Sequence, residues 1–192
     1  KGVVIDYIYS NRIENAELLA NQTEAKSIND LSNINFDSDL VIIALKDDVI
    51  EKVLEKASLN NCLIVHTSGS FNTENLKKYS SRYGCLYPFQ TFRKELETDL
   101  SEIHFFIEAN LEKGEKELIK FAELFSNQVV KMNSYDRKSL HIAGVGLNNF
   151  THYILSITKG YCESNNLVHC SCNKQCPMLY WVLAGQNPND NN

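Results

Sequence analysis

The sequence lacks the features that mark membrane proteins and nucleic-acid-binding proteins. The longest apolar run, residues 40–45, is far shorter than the roughly 20 residues that a membrane-spanning helix needs. The 19 Lys and Arg residues are outnumbered by 24 Asp and Glu residues, and the net charge is −5 at pH 7. Without an excess of basic residues, a nucleic-acid-binding surface is not expected. We therefore predict no membrane contact and no nucleic-acid partner.

Export signals and disulfide patterns are also missing. The residues after Lys1 form a short strand-like run, without the longer apolar segment and small-residue cleavage site of a secretory signal. Two of the six cysteines, Cys62 and Cys85, lie in apolar runs where a free thiol behaves as a small hydrophobic side chain. We expect a cytoplasmic protein whose cysteines stay reduced.

Hydrophobic residues make up 43% of the chain, which is enough for a folded core. Short β-branched or continuous apolar runs predict strands, and apolar residues at helical spacing predict helices between them. The predicted strands are residues 3–9, 40–45, 62–66, 85–87, 103–108 and 129–132, and the predicted helices are 15–21, 47–57, 72–80 and 113–125. This alternation predicts an α/β fold with a Rossmann-type parallel sheet.

The pattern changes near residue 134. Residues 135–163 contain no proline, and their apolar residues recur every three or four positions, which predicts one long helix. We therefore predict a dinucleotide-binding domain over 1–133 and an all-α domain over 134–192, which we expect to be incomplete. A long apolar helix outside the sheet favours a homodimer over a monomer.

The first predicted strand is followed by Asn11 and Arg12. In a Rossmann unit the residues after the second strand meet the adenosine ribose, and an Arg there accommodates the 2′-phosphate of NADP. The chain contains no G-x-G-x-x-G phosphate-binding loop among its eight glycines. Either the first strand and its glycine loop precede Lys1, or the protein binds no dinucleotide. Arg12 could equally be a solvated surface residue.

Candidate residues lie at the ends of three other predicted strands, at positions where open parallel sheets bind ligands. Candidates for cofactor binding are Ala44, Leu45, Lys46, His66, Thr67, Ser68 and Gly69. Ser70, Gln90 and Thr91 are candidates for substrate contact, and Pro88 would keep the segment before them extended. The alternatives are a polar turn capped by Ser70 or Thr73, and core aromatic residues that flank a loop.

The long predicted helix carries His141 and Asn148 on one face, two turns apart. A His at such a site could act as the acid in carbonyl reduction, so these two residues are the catalytic candidates and Asn149 is a further substrate candidate. The alternative is a buried His that only packs between helices.

The end of the chain has metal-type ligands in the order His169-Cys170-x-Cys172-x-x-x-Cys176. This spacing differs from the two Cys-x-x-Cys-type pairs of structural zinc sites. We therefore predict no metal site and interpret the segment as a reduced, cysteine-rich tail. The alternative is a zinc site formed by these residues in an interaction protein.

Six segments in order give the chain a resemblance to a known family. They are YSNRIENAELLA, DLVIIALKDDVI, IVHTSGS, YGCLYPFQTF, FFIEA and RKSLHIAGVGLNNFTHYI. The resemblance is to Rossmann-like oxidoreductases that carry a C-terminal domain of unknown function, DUF2520. This chain departs from the family at Tyr87-Pro88, where the family has His-Pro, and at residues 184–190, which only partly match the family's Thr-Gly-Pro-x-x-Arg-x-Asp segment.

The resemblance implies a dinucleotide-binding sheet and a helical domain like those of the 6-phosphogluconate and 3-hydroxyacid dehydrogenase superfamily, paired in a homodimer. It also implies an active site between the two domains. From this we expect hydride transfer between NADP, or alternatively NAD, and a small carbonyl, imine or hydroxy-acid substrate. The competing hypothesis is a non-catalytic module that senses a dinucleotide or dimerises.

Overall fold

The computed structural model describes residues 2–32, 37–59, 62–92 and 98–165. The chain divides into two compact units, residues 1–141 and 142–192. The strands are β1 (Tyr7–Tyr9), β2 (Lys26–Ile28), β3 (Leu40–Ile43), β4 (Leu63–His66), β5 (Arg82–Pro88), β6 (Phe105–Ala109) and β7 (Val129–Lys131). The helices are α1 (Ile13–Thr23), α2 (Asp47–Leu54), a 3₁₀ helix (Thr73–Lys78), α3 (Glu112–Ala122) and α4 (Ser134–Ser164).

Five strands form the main sheet of the first unit in the order β3-β4-β5-β6-β7. The pairs β3–β4, β4–β5 and β6–β7 are parallel, whereas β5 and β6 are antiparallel. His66 at the end of β4 pairs with Cys85, which in turn pairs with Glu108 of β6. These three residues therefore form one row across the middle of the sheet.

Alternation along the strands gives the sheet two covered faces. One face packs against α3 through a cluster of buried apolar residues: Leu63, Val65, Leu86, Ile103, Phe105, Ile107, Leu118 and Ala122. The other face has two clusters. One includes Ile64 with Ile50 and Leu54 of α2, and the other joins Cys85, Tyr87 and Phe106 to Leu140 of α4. The first turns of α4 therefore lie over the middle of the sheet.

The fold class is confirmed, since the chain has a mixed α/β architecture with parallel strand pairs and a C-terminal helix. Acidic residues occupy the first turn of α2, where they suit the positive end of the helix dipole. The prediction was wrong in four details. The strand expected over 3–9 covers only Tyr7–Tyr9, and β2 was missed. The helix expected over 72–80 is a 3₁₀ helix over Thr73–Lys78, and β6 runs against β5. In addition, β1 and β2 form a separate two-stranded parallel sheet.

The second unit, taken by itself, contains the greater part of α4. Its described residues expose many large apolar side chains: Ile142, Val145, Leu147, Phe150, Tyr153, Ile154, Ile157 and Tyr161. Among the described residues, no helix is both long and apolar enough to cross a membrane. The domain boundary at 133/134 remains a prediction.

Candidate functional site

The carboxyl ends of β3, β4 and β5 lie at one edge of the main sheet, because these strands are parallel neighbours. β4 ends opposite Cys85, whereas β5 continues to Pro88 and pairs there only with β6. The segment after β4 turns beside this extension of β5. Ligands of open parallel sheets bind at edges of this kind.

The segment after β4 is held in place by hydrogen bonds. Thr67 N donates to Ile43 O of β3 at 3.3 Å. Ser68 Oγ accepts from Ser70 N at 3.1 Å and from Phe71 N at 3.0 Å. Ser70 Oγ donates to the carboxylate of Asp47, in the first turn of α2. The loop that holds the predicted cofactor residues and the predicted substrate residue Ser70 is thus tied to β3 and to α2.

The imidazole of His66 is fully buried, contrary to the expectation that it contacts a cofactor. Its Nδ1 accepts from Ser68 N at 3.2 Å, so the ring proton lies on Nε2, which donates to Thr73 Oγ1 at 3.1 Å. Burial and the nearby Arg137 charge lower the pKa of His66 to about 3. His66 is therefore neutral, and both of its ring nitrogens make hydrogen bonds inside the protein.

Beside His66 lies a buried ion pair between Glu108 of β6 and Arg137 of α4. The Arg137 side chain is only 1% exposed and also donates to Phe71 O at 2.8 Å and to Ser134 Oγ at 3.1 Å. The Glu108 carboxylate also accepts from Thr73 Oγ1 at 2.6 Å and from Ser134 Oγ at 2.8 Å. Desolvation alone would raise the pKa of Glu108, but the hydrogen bonds from Thr73, Arg137 and Ser134 outweigh it and lower the pKa.

This ion pair fixes the first turns of α4, and His141 follows Arg137 by one helical turn. His141 Nδ1 lies 2.9 Å from the Tyr87 hydroxyl, near the end of β5. The two rings meet edge to face with their centroids 5.9 Å apart. A Cβ atom on Gly69 would lie only 2.4 Å from His141 Nδ1, so the loop after β4 approaches the imidazole as closely as glycine permits. Gly69, Tyr87 and His141 thus form a single cluster at the sheet edge.

The other candidates lie at the surface. Asn11 and Arg12 are exposed at the junction of β1 and α1, and Ala44 and Lys46 are exposed between β3 and α2. Leu45 is half-buried. Gln90 and Thr91 form an exposed turn after β5, in which Thr91 N donates to Gln90 Oε1 at 2.9 Å. Asn148 and Asn149 are exposed on α4 within the second unit, and their side chains are hydrogen-bonded to each other at 3.3 Å. The structure therefore brings His141 to the loop after β4, and the roles of the surface candidates remain predictions.

Three residues that the structure places around the start of α4 were not among the predicted site residues: Glu108, Arg137 and Tyr87, of which Tyr87 was noted only for its departure from the family's His-Pro. Glu108 carried a signal, since it is an acid at the end of an otherwise apolar strand. Arg137 also carried one, because it precedes His141 by four residues and so shares its helix face. The cap of the 3₁₀ helix was likewise missed: it is Asn72, whose side chain accepts from Glu74 N at 3.1 Å, and not Ser70 or Thr73.

The cysteine and metal predictions are tested only in part. Cys62 and Cys85 are buried, and burial raises the pKa of Cys85 to about 12. Within the described ranges no three His, Cys, Asp or Glu side chains are grouped so that they could hold a metal ion. The segment from His169 to Cys176 lies outside the described residues.

Comparison with known proteins finds a match to one family model, a domain of unknown function called DUF2520, over residues 103–179. None of the curated proteins matches the chain. Among solved structures, the chain is similar to a Bacteroides fragilis protein provisionally named an NADP oxidoreductase, with a TM-score of 0.74 and 35% sequence identity. The match covers 85% of this chain and 64% of that protein, so the chain spans less than two thirds of the length of this relative.

Two other solved structures share the fold. A protein from Thermotoga maritima is 25% identical, with a TM-score of 0.65, and the match covers 95% of this chain and 69% of that one. Plasmodium falciparum pyrroline carboxylate reductase, crystallised with NADP bound, is 14% identical, with a TM-score of 0.54 and coverage of 96% and 77%. The chain therefore has a Rossmann-like fold that it shares with reductases.

Proposed function

We propose that the protein is an NADP-dependent oxidoreductase that interconverts a small carbonyl or imine compound and its reduced form. The observation that carries this proposal is the cluster of Gly69, Tyr87 and His141 at the carboxyl edge of the sheet. This cluster supports the proposal because an imidazole can donate or accept a proton, and this one lies at the edge where open α/β sheets bind cofactors and substrates. The name of the Bacteroides fragilis relative supports the same cofactor class.

The residues at this edge fit parts of a dinucleotide. The exposed guanidinium of Arg12 follows β1 and could bind the 2′-phosphate through two parallel hydrogen bonds. The segment at Ala44–Lys46 and the loop at Thr67–Gly69 offer polar groups beside the ends of β3 and β4. Since the His66 side chain is buried, only its backbone remains available for such contacts.

In this proposal His141 handles the proton of the reaction. NADPH, when bound, supplies a hydride to the carbon of the C=O or C=N group. His141 delivers a proton from Nε2 to the oxygen or nitrogen, and the electron pair of the broken N–H bond stays on the ring. Among the described residues Nε2 has no hydrogen-bond partner, so it is free to meet a substrate. Ser70, Gln90, Thr91 and the α4 residues Asn148 and Asn149 are proposed to contact the substrate.

A homodimer is proposed on the basis of the sequence pattern and the structure. The exposed apolar side chains of α4 suit a homodimer formed through the helices of residues 134–192. We also propose a cytoplasmic location and a helical domain of the 6-phosphogluconate and 3-hydroxyacid dehydrogenase type.

The experiment that tests the cofactor is a calorimetric titration of NADPH and NADH into the complete gene product. We expect NADPH to bind more tightly, and we expect Arg12→Ala to lose about tenfold or more of that preference while NADH binding changes little. Arg12→Lys keeps the positive charge but lacks the two parallel N–H donors of the guanidinium. It should therefore recover only part of the preference for NADPH. The matched control is Lys120→Ala, which removes another exposed cation, on α3. Absence of binding by both dinucleotides would refute the proposal in favour of a non-catalytic module.

A further inference from the structure

The Tyr87–His141 contact fixes the position of the His141 ring and also determines which ring nitrogen carries the proton. Tyr87 is 8% exposed, and its hydroxyl has no other hydrogen-bond partner in the part of the chain that the structure describes. Burial raises the pKa of the phenol, so Tyr87 keeps its proton at neutral pH. The contact therefore joins an intact phenol to Nδ1 of the imidazole.

The direction of this hydrogen bond follows from which group can donate a proton and which can accept one. If the neutral imidazole donated from Nδ1, the phenol proton of Tyr87 would be left in a buried site without an acceptor among the described residues. A buried donor without an acceptor is unfavourable, because it loses its hydrogen bond to water and gains none in the protein. If the phenol donates instead, the bond uses its only proton and the best acceptor nearby. The neutral His141 ring therefore accepts at Nδ1 and carries its proton on Nε2.

Three other contacts hold this part of α4 and the His141 side chain in place beside Tyr87. The ion pair of Arg137 with Glu108 anchors the preceding turn of α4, and Leu140 packs on the cluster that contains Tyr87. Gly69 occupies the space beside Cβ, Cγ and Nδ1 of His141, and a Cβ on Gly69 would lie within 2.8 Å of each of these atoms. The orientation is thus set by strand, loop and helix together.

We infer that Tyr87 is a positioning residue, whose hydroxyl occupies Nδ1 of His141 so that Nε2 is the only nitrogen of this ring that exchanges a proton with substrate. This inference rests on the proposed function, in which His141 transfers the proton. A hydroxyl suits the task because it can donate to the neutral ring and, after rotation, accept from the protonated ring.

The transfer step balances without a further reactant. In the protonated ring, Nδ1–H donates to Tyr87 Oη, and Nε2–H faces the substrate. The Nε2–H bond breaks, its electron pair stays on Nε2, and the proton forms a bond to the oxygen or nitrogen of the reduced group. The neutral ring is then left with its proton on Nδ1, the form in which the Tyr87 phenol has no acceptor, and this form lasts only until solvent returns a proton to Nε2.

The test is nitrogen NMR of the histidine rings in ¹⁵N-labelled protein, which needs neither cofactor nor substrate. The His141 signals are assigned by their loss in His141→Gln, and a pH titration finds conditions under which this ring is neutral. We expect a proton on Nε2 and a hydrogen-bonded, unprotonated Nδ1. In Tyr87→Phe the Nδ1 signal should move to the position of an unbonded nitrogen. Tyr83→Phe, which removes the hydroxyl of another buried tyrosine of β5, should leave the Nδ1 signal unchanged.

Two results would overturn the inference. One is a proton on Nδ1 in the neutral wild-type ring, which needs no variant to detect. The other is an Nδ1 signal that is the same in Tyr87→Phe as in the wild type.

Failure of the proposed function would be seen separately, as the absence of dinucleotide binding. For any substrate found after cofactor binding is established, Tyr87→Phe should lower kcat roughly tenfold to a hundredfold with little change in KM. A fall in binding without a fall in kcat would count against a positioning role.

Discussion

Replacing Glu108 with Gln should destabilise the protein more than replacing its partner Arg137 with Met. Arg137 is 1% exposed and cannot lose its proton, and its Nε has no partner among the described residues, so Glu108→Gln leaves a buried charge without a counter-charge. Removing one partner of a buried pair costs about 3–5 kcal/mol. The Glu108 side chain is 24% exposed and retains donors from Thr73 and Ser134, so Arg137→Met should cost only about 1–3 kcal/mol.

The assay is urea unfolding followed by far-UV circular dichroism at pH 7, with the free energy of unfolding obtained by linear extrapolation. Glu117→Gln is the control, since its ion pair with Arg82 lies at the surface and should contribute at most about 1 kcal/mol. The double variant of Glu108 and Arg137 should be more stable than Glu108→Gln alone, because it removes the isolated charge. Loss of more stability in Arg137→Met than in Glu108→Gln would refute the reasoning.

The same pair also predicts a pH dependence. The pKa of Glu108 is lower in the folded protein than its ordinary value of 4.5. A carboxylate of this kind stabilises the fold above its unfolded pKa, and this contribution is lost as the pH falls through the lower folded pKa. The difference in unfolding free energy between the wild type and Glu108→Gln should therefore shrink below about pH 4.5. A difference that stays constant down to pH 3 would show that the carboxylate charge is not the stabilising feature.

Two further substitutions test the surroundings of the site. Gly69→Ala should displace His141 and lower the free energy of unfolding in urea by about 1–3 kcal/mol. In the control Gly160→Ala the new Cβ meets no atom within 4 Å, so this variant should be neutral or stabilising. Equal effects of the two substitutions would argue against the close approach of Gly69 to His141. His66 has a folded pKa of about 3 against an ordinary 6.5, so the fold should lose about 1.4 kcal/mol per pH unit as the pH falls between these values. Thermal unfolding between pH 7 and pH 5 should show a weaker pH dependence in His66→Gln than in the exposed control His104→Gln, and the same slope in both would contradict the assignment.

Much of the fold could be predicted from local sequence because its strands are short apolar runs and its helices have apolar residues at regular spacing. The direction of β6 could not be predicted in this way. It depends on how residues 89–104 return the chain to the sheet, and hydrophobic periodicity carries no information about that path. β2 was missed because a strand of three residues, one exposed and two half-buried, is too short to show a hydrophobic pattern that differs from chance.

The site was predicted less well because its decisive contacts join residues far apart in the chain. Glu108 and Arg137 are separated by 29 positions, and Tyr87 and His141 by 54. His66 illustrates a second limit. A His that ends a strand can point outward to a ligand or inward, and here the pleat places it on the same face as Ile64, under α4. The sequence analysis named His141 as a catalytic candidate on the long helix, a role that stays a prediction, and it gave no sign of the contact with Tyr87.

The partners of Arg137 have a consequence for how the first unit unfolds. They come from β6, from the segment after β4 and from the start of α4, three parts of the chain that are distant in sequence. None of these parts can separate from the others without exposing a charge or breaking several hydrogen bonds at once. Amide protons in the first turns of α4, which would otherwise exchange early through fraying, should therefore exchange only when the whole sheet opens. The residue that holds His141 in place also makes this end of the helix part of the slowest-exchanging core.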